Sequence, residues 1–86
     1  MTEYRIPDDI LAAHLEGETI LLDFQTKRYY HLNATASAIW QGLERHQTRE
    51  AIVRELTGQF DADPVTVAAA FDELVQDLAA RGLLRR

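Results

Sequence analysis

Residues 18–40, ETILLDFQTKRYYHLNATASAIW, decide how this chain folds. Ile20, Leu22 and Phe24 alternate with Thr19, Leu21 and Asp23, which predicts a strand with Ile20, Leu22 and Phe24 on its apolar face. Gln25, Thr26 and Lys27 form a short polar connection. Arg28-Tyr29-Tyr30-His31-Leu32 is the return strand, rich in aromatics that favour extended structure. The spacing leaves open which of Tyr29 and Tyr30 faces inward, because a shift of one residue exchanges them. Asn33 ends the strand and is suited to cap a helix beginning at Ala34. Two strands alone are marginal in water. Helices downstream must cover them.

Those helices are punctuated clearly. Ala36, Ile39, Trp40 and Leu43 recur at helical spacing, so a first helix over about 34–45 has one apolar face with Trp40 in the core. Thr48 is an N-cap for a second helix over about 48–60, whose buried face is Ala51, Ile52, Leu56 and Phe60. Asp63-Pro64 starts a third helix over about 64–81, and Gly82 ends it. On a helical wheel Val67, Ala68, Phe71, Leu74, Val75, Leu78 and Ala79 fall within an arc of roughly 140°, wider than the ~100° stripe an ordinary packed helix needs. The surplus either packs on a neighbouring helix or on Leu83-Leu84, or lines a groove. Upstream, ILAAHL (10–15) reads as helix by propensity but as a strand if it pairs with 18–24 through Glu16-Gly17. The strand is the reading taken here, because the family resemblance given below implies it against the local propensity. The architecture expected is α+β, a winged helix-turn-helix-like, three-stranded antiparallel sheet followed by three helices.

Composition narrows the functions. Eighty-six residues with 47% apolar content make one small globular domain over 1–86. The chain has no cysteine, which removes disulfide and thiolate chemistry. No apolar run approaches the ~20 residues of a membrane span, and MTEYRIPDD lacks the pattern of a signal peptide. A cytoplasmic protein with no membrane partner is expected. His14, His31 and His46 lack metal-ligand spacing, the four glycines are isolated, and Ser37 sits inside the first helix. No cofactor, no metal and no catalytic residue is expected, and the chain is read as a binder rather than an enzyme. A net charge of −5 disfavours phosphate binding. The third helix presents Thr66, Asp72, Glu73, Gln76 and Asp77 where a DNA-reading helix would present basic or amide groups. The bases lie elsewhere, at Arg45, Arg49, Arg54, Arg81, Arg85 and Arg86, so nucleic acid is not the expected partner.

Recognition of an extended peptide fits better. An exposed strand edge offers unpaired backbone groups that a partner strand satisfies. Residues 28–32 are the candidate edge, comprising Arg28, Tyr29, Tyr30 and His31. Lys27 and Arg28 discourage self-pairing and favour an acidic peptide segment. Pockets lined by Val67, Phe71 or Val75 on the third helix would give selectivity.

The ordered set LLDFQTKRYYHLNATASAIW and REAIVRELTGQFDADPVTVAAAFDELVQDLAARGLL resembles the PqqD-like family, small winged-helix domains known as RiPP recognition elements. The likeness covers about residues 10–84. It implies binding of the leader segment of a ribosomally made precursor peptide. The leader would add a strand beside Arg28–Leu32, in a groove shared with the helix from Pro64 to Arg81, and be presented to a modifying enzyme. The chain departs from many members in having Ala70 where they carry an acid, four residues before Leu74. Asp72 or Glu73 is the substitute. The connection Gln25-Thr26-Lys27 stands where the pyrroloquinoline quinone branch carries Pro-Glu-Gly. The chain therefore looks more like the lasso-peptide branch, whose element partners a separate leader peptidase and whose leaders resemble Tyr-x-x-Pro. A radical-enzyme pathway is the alternative. A monomer is favoured, with a strand-exchanged dimer hinged near 25–27 or Asn33 as the other state.

Overall fold

The computed structural model describes residues 4–85, so Arg86 lies outside it. Three strands, β1 (Ile10–Leu15), β2 (Glu18–Asp23) and β3 (Arg28–Leu32), precede three helices, α1 (Ala34–Glu44), α2 (Arg49–Gln59) and α3 (Pro64–Ala80). The sheet is antiparallel in the order β1-β2-β3, which leaves β1 and β3 as its two edges.

The turns explain the strands. Glu16 and Gly17 both have positive φ, 37° and 83°, the geometry of a two-residue hairpin turn that matches strand twist. That turn forces ILAAHL to extend back along β2, overriding the helix propensity of its Leu and Ala. The second turn is built on Asp23. Its Oδ1 accepts hydrogen bonds from the N–H groups of Gln25 (2.9 Å) and Thr26 (3.4 Å), and its carbonyl accepts one from Lys27 N–H (2.7 Å). Lys27 takes the left-handed conformation, φ 62°, and hands the chain to β3.

Each helix begins where local chemistry provides a start. The Asn33 side chain accepts from Ala36 N–H at 2.9 Å, and Thr48 Oγ1 accepts from Ala51 N–H at 3.1 Å, each satisfying an N–H with no helical partner. Asp63 occupies the N-cap of α3 without a side-chain bond to the backbone, and Pro64 holds the first helical position. At the far end Gly82 has φ 77°, with Gly82 N–H bonded to Ala79 C=O and Leu83 N–H to Leu78 C=O. This Schellman closure turns Leu83 and Leu84 back into the core.

α1 is the central element and packs on β2, β3, α2 and α3. Trp40, Ile39 and Leu43 from α1 meet Leu21, Leu32, Ile52, Leu56, Phe71 and Leu83 in one core. Gly42 lets α2 approach, since a Cβ there would stand 2.7 Å from Ile52 Cγ1. A hydrogen-bonded chain ties sheet to helix: Glu44 Oε1 to His14 Nε2 (3.2 Å), His14 Nδ1 to Thr19 Oγ1 (2.9 Å), and Thr19 to the Ser37 hydroxyl. At the ends of the described chain, Arg5 and Arg85 exchange both backbone hydrogen bonds, at 2.7 and 2.8 Å.

Two expectations about burial are corrected. The inward face of β2 is Thr19, Leu21 and Asp23, all buried, whereas Ile20 and Leu22 are half-buried and Phe24 is exposed. Polar groups go inside because they are satisfied there, Thr19 by Ser37 and His14, and Asp23 by its turn. Their apolar neighbours share the open outer face with Leu11 and Tyr29. On α2, Ile52 and Leu56 are buried, but Phe60 is exposed, because it is the C-cap residue, past the last helical turn.

Candidate functional site

β3 is a free edge, and its register fixes which groups it offers. Leu15 and Glu18 flank a two-residue turn and so form a hydrogen-bonded pair. Backbone direction alternates along a strand, so Thr19, Leu21 and Asp23 bond toward β3 and engage Leu32, Tyr30 and Arg28. The N–H and C=O groups of Tyr29 and His31 therefore point to the open side. Side chains alternate across the sheet as well. Tyr30 pairs with Leu21 on the inner face, while Tyr29 stands on the outer face, 72% exposed. The register thus settles which tyrosine faces inward. His31 is also exposed, with its Nε2 2.8 Å from Glu18 Oε1.

α3 flanks this edge, and α1 packs against both β3 and α3 between them. The groove is crossed at one point, where the Arg81 guanidinium lies 5.5 Å from the centre of the Tyr30 ring. Arg81 Nε also donates to Asp77 Oδ1 at 3.1 Å, and that hydrogen bond, with the carboxylate charge, holds the guanidinium above its ordinary pKa. Beyond this crossing the groove opens into a cavity of about 340 Å³. Its floor is apolar, from Ala36, Ile39, Ala70 and Leu74, and its rim carries Glu73 and Asp77. Asn33 and Thr35 close the end next to β3.

The α3 residues expected to line a pocket divide differently. Val67, Phe71 and Val75 are buried in the core and do not line this cavity. Phe71 is completely enclosed, with Tyr4 edge-on at 5.9 Å and the Arg49 guanidinium 5.9 Å from its ring centre. At about 100° per residue, Ala70, Glu73, Leu74, Asp77 and Arg81 form a separate stripe about a quarter-turn from the core stripe. Leu74 belongs to that stripe and is half-buried. Asp72 lies on the opposite flank, where its carboxylate receives Arg49 Nε and Nη2, both at 2.9 Å. The hydrogen bond and charge of Asp72 raise the pKa of Arg49. Of the two acids considered as substitutes for the one absent at position 70, Glu73 is the one beside the groove.

Lys27 and Arg28 are exposed at the hairpin end of β3, and Lys27 Nζ lies 5.9 Å from the Phe24 ring centre. The groove therefore has a basic end near the hairpin and an acidic end at the cavity. Sequence reasoning passed over Thr35, Ala36, Ala70, Asp77 and Arg81 as groove residues. Ala70, Asp77 and Arg81 share a second stripe on the α3 wheel, visible only once the first is known to be covered, while Thr35 and Ala36 come from the first turn of α1. Among the described residues, no group of three histidine, cysteine or acidic side chains converges to hold a metal. No described helix is long and apolar enough to cross a membrane.

An open edge strand set against a helix across an apolar-floored groove defines an extended-peptide-binding module of winged-helix type. Comparison with known proteins gives its family. Residues 18–84 match the model of coenzyme PQQ synthesis protein D, and the chain belongs to this PqqD family. Two solved structures are similar over nearly the whole chain. One is TbiB1 in complex with the TbiA(beta) leader peptide, with TM-score 0.88, 33% identity and 94% of each chain covered. The other is a lasso peptide synthetase B1 complexed with the leader peptide, with TM-score 0.90 and 25% identity, covering 99% of this chain and 100% of that one. No curated protein sequence matches.

Proposed function

We propose that the chain binds the leader segment of a ribosomally made precursor peptide, as a fourth strand on β3 lying in the groove against α3. It acts without catalysis, in the cytoplasm and as a monomer, and presents the held peptide to a separate leader peptidase or other modifying enzyme. The observation that carries this reading is the pairing of a free β3 edge with an α3 flank that the core leaves uncovered. Tyr29 and His31 supply backbone groups for the added strand. Tyr30 and the cavity receive its inward side chains, and every second residue of the peptide faces them. Both similar structures are leader complexes, one of them a lasso peptide synthetase component. They favour the lasso-peptide pathway over a radical-enzyme one.

The test is a titration with the leader segment of any short precursor whose gene is found adjacent to the gene for this chain, followed through backbone amides by NMR. Shifts concentrated in residues 27–33 and 70–81 are expected. A well-folded spectrum that does not move would refute leader recognition. A proline at His31 removes an outward N–H and leaves the β2–β3 ladder intact. His31→Pro should lower affinity at least about tenfold with an unchanged circular dichroism spectrum. Tyr30→Pro is the contrasting variant, because it removes an N–H that bonds to β2 and should unfold the sheet. Unchanged affinity in folded His31→Pro would sink the strand-addition geometry.

A further inference from the structure

The cavity at the acidic end of the groove has a chemistry of its own. Its floor of Ala36, Ile39, Ala70 and Leu74 is apolar, and Ala70 leaves the space that a larger residue would fill. A dry cavity of about 150 Å³ is enough for benzene, so about 340 Å³ admits one long side chain. Two carboxylates stand at the mouth, one helical turn apart. Asp77 is already engaged by Arg81. Glu73 is exposed and has no ion pair or hydrogen bond among the described residues. With Asp77 met by Arg81, Glu73 is the carboxylate at the mouth that remains open to a cation.

We infer that this cavity is a specificity subsite for a lysine or arginine of the bound peptide, with the aliphatic stem on the Ala36, Ile39, Ala70 and Leu74 floor and the cationic head at Glu73. The inference rests on the peptide-binding reading and adds a residue class to it. A long basic side chain suits the site because its methylenes cover apolar surface while its head stays at the wet rim. An acidic side chain would meet two carboxylates within a chain of net charge −5. A purely aliphatic one would leave Glu73 without a partner. Acidic peptide residues belong instead at the hairpin end, near Lys27 and Arg28. The groove thus reads charge in opposite senses at its two ends and fixes the direction in which a peptide lies.

Positional-scanning pools of short synthetic peptides test this, with one position at a time fixed as Lys, Arg, Leu, Tyr or Glu. Binding is measured by fluorescence anisotropy to the full chain and to Glu73→Gln, an exposed substitution whose folding is checked by circular dichroism. At one position the Lys and Arg pools should bind about tenfold more tightly than the Leu and Glu pools. Glu73→Gln should bring the Lys pool down to the level of the Leu pool while the Leu pool is unmoved. A position led by Tyr or Leu, or a Lys preference that survives Glu73→Gln, overturns the subsite while leaving strand addition intact. If no pool binds, the peptide-binding reading fails, and the subsite with it.

Discussion

α3 carries two apolar stripes that differ in what covers them. Val67, Phe71, Val75 and Leu78 are closed over by α1, α2, Tyr4 and the returning Leu83-Leu84. Ala70 and Leu74, about a quarter-turn away, line an open cavity opposite Asn33, Thr35, Ala36 and Ile39. The first stripe holds the fold together. The second is available to a partner because the cavity it shares with Asn33 and α1 stands open. Residue type does not separate the stripes, since both contain ordinary aliphatic side chains. Coverage separates them, and coverage is set by other elements.

The comparison can be broken most forcefully at Phe71. Phe71→Ala empties the centre of the covered stripe and should cost about 4 kcal/mol of unfolding free energy, a large part of a small domain's stability. Urea denaturation measures this, and the affinity of whatever fraction stays folded should be unchanged. Large affinity loss in a folded Phe71→Ala protein would show the stripes to be one. Leu74→Ala should do the reverse, lowering peptide affinity about tenfold while destabilising by only about 1 kcal/mol, since the residue is half-buried. Ala70→Leu sharpens the contrast by filling the cavity. It should leave the melting temperature unchanged and reduce affinity by a similar factor, read by titration of the same peptide. The smallest effect belongs to Asp72, on the third side of the helix. Asp72→Asn removes an exposed ion pair with Arg49 and should alter neither the unfolding midpoint nor the affinity. The raised Arg49 pKa gives the sign of any pH effect. Its stabilisation is complete at neutral pH and is lost only as pH rises through the elevated pKa, so the unfolding midpoint should not drift between pH 6 and 9 (about the working range of a stability assay) on account of this pair.

What could be read in the sequence divides along the same line between local signals and coverage. Asn33, Thr48, Pro64 and Gly82 mark helix ends through chemistry within a few residues, and they mark them in the structure. The three helices follow from those marks, whereas the strand over 10–15 rested on the family resemblance, because the local propensity of ILAAHL pointed to helix. The wheel of α3 located an apolar arc that holds the covered stripe and, of the open one, Leu74 alone. It left Val67, Phe71 and Val75 open between lining a groove and packing on a neighbouring helix or on Leu83-Leu84, and the return of Leu83-Leu84 into the core decides for packing. β2 failed for a related reason. Ile20, Leu22 and Phe24 outnumber Leu21 as apolar residues, but inward orientation was decided by partners distant in sequence, such as Ser37 for Thr19. The choice between Asp72 and Glu73 depended on Arg49, 23 residues upstream of Asp72, which draws Asp72 to the α2 side.

The backbone bridge between Arg5 and Arg85 has a consequence for how the unit can be joined to others. Antiparallel pairing brings the two ends of the described chain to one spot, on the side where Tyr4 packs against Phe71 and away from the open stripe of α3. A loop of a larger enzyme could be opened and this module spliced in with scarcely any displacement of the flanking strands of polypeptide. The same proximity allows the ends to be linked and the ring reopened at the exposed Gln25–Lys27 hairpin tip. Both covalent attachment points thus share one port, at the Arg5–Arg85 bridge, and joining the unit there leaves the open stripe of α3 untouched.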